Sequence, residues 1–449
     1  MTGAFKQSCY NNVVLIACFL CSLSFAQQNN KLTRTQQKEI IIELCEKIED
    51  IYPFPEIAQH TISGIKKYFE EGKYSAYTDR SEFASNLTMD LEDLSNDTHF
   101  YLAYNPELAA EMEKQRDSEV SEESLTAHEA RIEKWQNYGF KELKILDGAV
   151  GYLDLRLFFA TYYAGEVAVA AMNFLSNCNA IIIDLRYNGG GWDDMVNFLL
   201  SYFAESQAEI IFNVAQHTID SSYYAGKTMA YVPGKRFTDI PVYVLISRGT
   251  ASAAEAFASK IKQINSHAVL VGETSAGAEN PVGSVVIGDD FVLSIPSWRS
   301  IYRKYDTNWE GIGVSPDMEA GFEEAPGVAH IDALRKLYEA AVEKEVKDKY
   351  QWALDGVRAI YEPVSLPENV LQAYVGNYGT RDVCLEDGML YYQYKKRTKR
   401  RMLPVREDYF VVEDYDFFRV RFIIEKGRIT SLEEIFTDGS VVRNTRRDK

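Results

Sequence analysis

Cysteine is scarce in this 449-residue chain: six in all, of which Cys9, Cys18 and Cys21 fall within the first 26 residues. The remaining Cys45, Cys178 and Cys384 are odd in number and scattered. That excludes a disulfide framework and any zinc-ligand spacing, and leaves them as small buried hydrophobes. An excess of positive charge is also missing. The formal net charge is −18, so long-range attraction to nucleic acid is not expected and no nucleic-acid partner is assigned. Past the N-terminus no apolar run approaches the roughly 20 residues of a membrane-crossing helix. There are no tandem repeats, no low-complexity tracts and no Gly-x-x-x-x-Gly-Lys-Ser/Thr phosphate loop.

What is present at the start is Lys6, the apolar run Val13 to Phe25 and then Ser24-Phe25-Ala26 before Gln27, the three-part grammar of a secretory signal peptide over residues 1–26. The mature chain is therefore expected to be exported, periplasmic or extracellular. The rival reading takes Leu15-Ile16-Ala17-Cys18 as a lipobox with a lipid on Cys18. The rest is ordinary globular material, 46% hydrophobic and 25% charged, long enough for two or three domains.

Residues 33–139 read as a helical N-terminal domain. Thr33-x-x-Gln36 resembles a capping box; Ile40, Ile41, Leu44, Cys45, Ile48 and Ile51 recur at helical spacing; Pro55 and Pro106 sit where a first turn begins. Asn105 to Gly139 is charged enough to be an exposed helical hairpin. Between 140 and 346 short β-runs alternate with helices: Val150 to Leu155, Ala180 to Leu185, Val242 to Ile246 and Ala268 to Val271, with helices near Gly165 to Leu175, from Trp192, from Ser252 to about Gln263 and from Ile331. This alternation implies an α/β core with parallel strands. A hairpin is expected around Gly288-Asp289-Asp290. Over 362–449, short Tyr-, Phe- and Val-rich segments alternate with turns such as Glu386-Asp387-Gly388, the pattern of a small antiparallel barrel or sandwich. The basic run Lys395 to Arg401 reads as a solvated hairpin.

Two segments carry chemistry. Ser247-Arg248-Gly249-Thr250-Ala251-Ser252-Ala253-Ala254-Glu255 places a hydroxyl between an apolar strand and a helix, where free N–H groups and the dipole favour developing negative charge. The bland reading is a helix cap, because Ser252-x-x-Glu255 also fits a capping box. Asp184-Leu185-Arg186-Tyr187-Asn188-Gly189-Gly190-Gly191 follows a buried strand, and its glycines let backbone N–H groups come close to an anion. A serine nucleophile needs a base, and histidine is the usual one. Of His60, His99, His128, His217, His267 and His330, the residues alone leave His99 and His267 level.

Taken in order, these segments resemble the tail-specific protease family, also called C-terminal processing peptidases, in its branch with tricorn protease and the interphotoreceptor retinoid-binding protein. The likeness runs from about Thr33 to Lys344. It implies a protease core of the ClpP/crotonase-like type and hydrolysis of a peptide or protein substrate through an acyl-serine, with no metal or cofactor. One branch of the family uses a downstream lysine. Here the matching stretch is Gly272-Glu273-Thr274-Ser275-Ala276-Gly277-Ala278, and no lysine occurs between Lys262 and Lys304. The resemblance then assigns Ser252 as nucleophile, His99 as base and Glu310, in Trp309-Glu310-Gly311, as the carboxylate of the triad. Oxyanion donors become the N–H of Ala253 and of a glycine in the Gly189-Gly190 pair, Gly190 first. A PDZ domain, common in the family, has no room between 105 and 139. The alternatives are a non-catalytic carrier of apolar ligands on the same fold, and an esterase or amidase of non-peptide substrates.

Overall fold

The computed structural model describes residues 31–117, 130–205, 210–304 and 309–447. Residues 1–26, where a signal peptide is expected, Cys18 among them, lie outside the described residues, as do His128 and the middle of the charged stretch after Asn105. The chain packs as two units. The first is Met1–Ile132 with Ile210–Lys227 and Ala276–Gly313; the second is Glu133–Glu209, Thr228–Ser275 and Val314–Lys449.

Three helices open the first unit: α1 (Arg34–Ile51), α2 (Pro55–Glu70) and α3 (Arg80–Ser95). The expected capping box starts α1: Thr33 N–H donates to Gln36 Oε1 at 2.9 Å and Gln36 N–H to Thr33 Oγ1 at 3.3 Å. Pro55 occupies the first position of α2, where no N–H is needed, and Asp79 caps α3 by accepting from Ser81 and Glu82. The apolar stripe of α1 (Leu44, Ile48) meets Ile65 of α2 and Phe83, Leu87 and Leu91 of α3 in one core. Each such side chain contributes about 1.5–3 kcal/mol on burial. Strand β1 (Tyr101–Tyr104) joins that core as the edge of an antiparallel three-stranded sheet with Phe291–Pro296 and Val282–Ile287. The Gly288 hairpin is therefore real, and it belongs to the same unit as the helices. A second antiparallel sheet joins Trp298–Arg303, Ile211–His217 and Tyr223–Lys227.

The second unit is built on a six-stranded sheet whose order follows the chain: β2 (Phe140–Leu146), β3 (Val150–Leu155), β4 (Ala180–Asp184), β5 (Val242–Ile246), β6 (Ala268–Gly272) and β7 (Met318–Glu319). Only β2 and β3 run antiparallel; every later pair is parallel. All residues of β4 and β5 are buried, as parallel strands covered on both faces must be. Helices α4 (Thr161–Phe174), α5 (Asp193–Phe203) and α6 (Ala253–Ile264) connect them. Helix α7 (Ala325–Ala340) and helix α8 (Lys344–Tyr361) follow β7, and Ala329, Leu334, Leu354 and Val357 close the core over Ile182, Tyr243 and Val271.

The C-terminal segment is an eight-stranded antiparallel meander from Gly376–Tyr378 to Val441–Thr445, each strand paired with the next. A bridge between Asn377 and Arg447, with Arg447 N–H donating to Asn377 O at 2.9 Å, brings the last segment back to the first strand. The choice between barrel and sandwich is thus settled as a nearly closed barrel. Tyr378, Tyr392, Phe410, Phe418, Val420 and Phe422 fill its interior. One buried carboxylate, Glu434, sits among them, held by Arg381 Nη2 at 2.6 Å and by the Tyr392 hydroxyl. The basic run is the turn and following strand of a hairpin, and three of its charges are paired: Lys399 with Glu386, Arg400 with Asp414 at 2.7 Å and Arg401 with Glu413 at 3.2 Å.

Candidate active site

In the second unit the loop after β4 and the turn after β5 are joined through hydrogen bonds. The Ser247 hydroxyl donates to Arg186 O at 2.7 Å, the Thr250 hydroxyl to Leu185 O at 2.8 Å and Ala251 N–H to Asn188 O at 3.1 Å. Small hydroxylic residues are needed there because the two backbones run side by side. Asp184 and Arg186 form a buried ion pair, Nε to Oδ1 at 2.9 Å and Nη2 to Oδ2 at 2.7 Å, and the Tyr152 hydroxyl donates to Asp184 at 2.6 Å. These two motif residues stiffen the loop and are not left free to meet a ligand.

Ser252 stands at the turn into α6 with φ 51° and ψ −121°. An ordinary helix cap has extended backbone, whereas this conformation is strained for any residue with a Cβ, at a cost of about 1–3 kcal/mol. Such strain at a serine between a strand and a helix is a backbone feature that nucleophile elbows share. The capping box is also present: Glu255, fully buried, accepts from Ser252 N–H at 2.9 Å, and the Ser252 side chain accepts from the Glu255 N–H in return. Glu255 also accepts from the Ser275 hydroxyl, whose oxygen in turn accepts from Val314 N–H at 2.6 Å. That brace went unnoticed in the sequence, although the serine fills the stretch where the lysine branch carries its base.

Gly190, at φ 117°, lies against the elbow: a Cβ built on it would sit 2.8 Å from Ser252 Cβ and 3.1 Å from Ala253 N. The glycine loop and the serine turn are therefore brought together. Gly190 N–H, however, donates to Asn188 Oδ1 at 2.8 Å. Gly189 N–H and Ala253 N–H have no partner among the described residues.

His267 is separated from this turn by sheet topology. It precedes β6, whose first residue pairs with the first residue of β5, so it is a full strand length, about 16 Å, from the end that carries Ser252. His330 is buried against Asp147 O at 2.9 Å, and His217 pairs with Asp220 at 2.9 Å on a strand of the first unit.

His99 and Glu310 both belong to the first unit. Helix α3 ends at Asn96 in the left-handed conformation, and the chain turns through Asp97 before β1. Glu310 is held by a turn in which Gly311 N–H donates to Gly277 O at 2.8 Å; Gly277, at φ 88°, leaves no room for a Cβ, which would lie 2.9 Å from Gly313 N. Glu310 Oε2 accepts from Glu279 N–H at 2.7 Å and Asn280 N–H at 3.0 Å. His99 Nδ1 lies 3.9 Å from Glu310 Oε1 and 3.1 Å from Asp97 Oδ1. Asp97 was overlooked in the sequence despite its place two residues before the histidine. It also accepts from His99 N–H at 3.0 Å, from the Tyr52 hydroxyl at 2.9 Å and from Asn280 Nδ2 at 3.3 Å.

The two carboxylates are unequal. Burial and the charge of Asp97 push Glu310 up to about 7, against its two backbone donors and His99. Burial works against Asp97 as well, but the hydrogen bonds from His99 and Tyr52 outweigh it and hold Asp97 below the usual carboxylate range. One possible ligand atom from each of Asp97, His99 and Glu310 falls within 4.8 Å of the others, a spacing that a metal ion could bridge. His99 Nε2 is buried and has no partner among the described residues, a nitrogen available for proton transfer.

Residues 149–320 match peptidase family S41, and residues 25–140 match the N-terminal domain of peptidase S41 in eukaryotic IRBP. The chain belongs to peptidase family S41. It is 34% identical over 131 residues to a carboxyl-terminal-processing protease of Synechocystis sp., covering 29% of this chain and 28% of that protein. It is 28% identical over 207 residues to the carboxyl-terminal-processing protease of Picosynechococcus sp., covering 44% and 46%. The chain thus spans less than half the length of these relatives. Among solved structures, a putative peptidase from Parabacteroides merdae superposes with a TM-score of 0.42 at 15% identity, covering 63% of this chain and 89% of that one. The tricorn protease superposes at 0.39 and 12%, covering 72% and 37%. No helix among the described residues is long and apolar enough to cross a membrane.

Proposed function

We propose that this chain is an exported serine peptidase that cleaves peptide bonds through an acyl-serine intermediate. The observation that carries the reading is the strained backbone of Ser252 at φ 51°, ψ −121°, with Gly190 packed against it. A plain cap needs neither. In this reading Ser252 Oγ attacks the scissile carbonyl, His99 Nε2 takes the proton and returns it to the leaving amine, and Glu310 completes the acid–base group at the imidazole. Ala253 N–H and Gly189 N–H receive the oxyanion. Each well-placed donor lowers the barrier by about 3 kcal/mol. The processing-protease names of the relatives support peptides as the substrate class. The segment Lys6 to Ala26 supports export.

A fluorophosphonate probe tests the nucleophile. The purified mature protein should be labelled, and Ser252→Ala should abolish labelling while leaving the far-ultraviolet circular dichroism unchanged. Equal labelling of both proteins, or none of a folded wild type, ends the proposal. Cleavage of members of a peptide library separates a peptidase from an esterase or amidase with the same chemistry.

A further inference from the structure

We infer that Asp97, rather than Glu310, is the carboxylate that positions His99. This rests on the reading of His99 as the base. Distance is the first argument: Asp97 Oδ1 is at hydrogen-bond range from Nδ1 at 3.1 Å, whereas Glu310 Oε1 at 3.9 Å is beyond it. Immobilisation is the second. Asp97 is 2% exposed and anchored at both oxygens, Oδ1 by the backbone N–H of His99 itself and Oδ2 by the Tyr52 hydroxyl and Asn280. The residue that holds the ring thus also fixes the turn that carries it. Glu310 is oriented elsewhere, with Oε2 committed to the amides of Glu279 and Asn280.

Tautomer choice follows. A carboxylate accepting at Nδ1 fixes the proton there and leaves Nε2 bare as the base, and Nε2 is the ring nitrogen without a partner among the described residues. Two carboxylates this close do not both ionise freely, and the one with more hydrogen bonds to its charged form keeps the charge. Asp97 accepts four; the depressed affinity of Asp97 for a proton and the raised one of Glu310 agree with that division. Asp97 is a positioning residue, since it acts through His99.

The test compares Asp97→Asn and Glu310→Gln in the full mature chain by the second-order rate of fluorophosphonate labelling, together with the 15N chemical shifts of the His99 ring. Glutamine mimics a protonated Glu310, whereas asparagine removes the negative charge at Asp97. Asp97→Asn should slow labelling by at least about 100-fold, in line with the about 10⁴-fold effect of such a change in a serine triad. Its His99 ring should pass from the Nδ1–H tautomer to a mixture. Glu310→Gln should lose at least tenfold less and keep the Nδ1–H tautomer. An equal or larger loss in Glu310→Gln overturns the inference, as does an unchanged ring signature in Asp97→Asn. Tyr52→Phe, which removes one of the two hydrogen bonds to Asp97 Oδ2 without touching its charge, should slow labelling by a smaller factor, about threefold to tenfold, guarding against a variant that fails to fold; an unaffected rate there also counts against it. If wild type is not labelled at Ser252, the serine-peptidase reading fails, while the ring signatures of wild type and Asp97→Asn still decide which carboxylate holds His99.

Discussion

Replacing Glu310 by glutamine should stabilise the fold in a pH-dependent manner, and the size of the effect follows from the carboxyl's surroundings. In the folded chain burial and Asp97 raise Glu310 to about 7, against an ordinary 4.5. Between those values the folded protein keeps a proton that the unfolded chain has released, so this group makes stability fall as pH rises from 4.5 to 7. A difference of about 2.5 units at 1.36 kcal/mol each amounts to about 3 kcal/mol, complete above pH 7 and only a few tenths at pH 4.5. Glutamine carries no titrating proton and still offers an oxygen to Glu279 N–H and Asn280 N–H. Urea denaturation of wild type and variant, followed by one probe at pH 4.5, 6 and 8, reads the effect as a difference in midpoint times slope. The gap should widen steadily with pH in favour of the variant. A gap that stays flat, or one in favour of wild type at pH 8, would refute the claim that burial and Asp97 raise Glu310.

Other expectations bear on the elbow. Ser252→Gly should be more stable than Ser252→Ala by about 1–2 kcal/mol in thermal or chemical unfolding, because glycine tolerates φ 51° and alanine does not; equal midpoints would remove the argument from strain. Gly190→Ala should lose most fluorophosphonate labelling and at least about 1 kcal/mol of stability, since the new methyl meets Ser252 Cβ and backbone at 2.8–3.1 Å and the φ is unfavourable; retained labelling would show that the loop is free to retreat.

The order of elements was legible wherever local signals agreed. The capping box at Thr33, Pro55 at the start of its helix, the Ile-rich stripe and the buried runs at Ile181 and Val244 all name their structure through nearest neighbours alone. Helix α8 was missed: its stripe is diluted by charge, and it is helical because Leu354 and Val357 reach the core. The barrel could not be told from a sandwich because closure depends on Asn377 meeting Arg447, which are far apart in sequence.

Peptidase family S41 was readable from the order of the motifs and the residue types within them. Those are matters of residue type, which a sequence states directly. Roles inside the motifs were not. That Asp184 and Arg186 neutralise each other, that Asn188 takes the N–H of Gly190, that Ser252 is strained, and that Asp97 is nearer the imidazole than Glu310 all depend on distances of a few ångströms and on which charge is better solvated by the protein. Sequence by itself determined the chemical groups and the periodicity that folds them. Only tertiary structure decided which donor each acceptor meets, because hydrogen bonding and burial are set by neighbours that the chain brings in from far along its length.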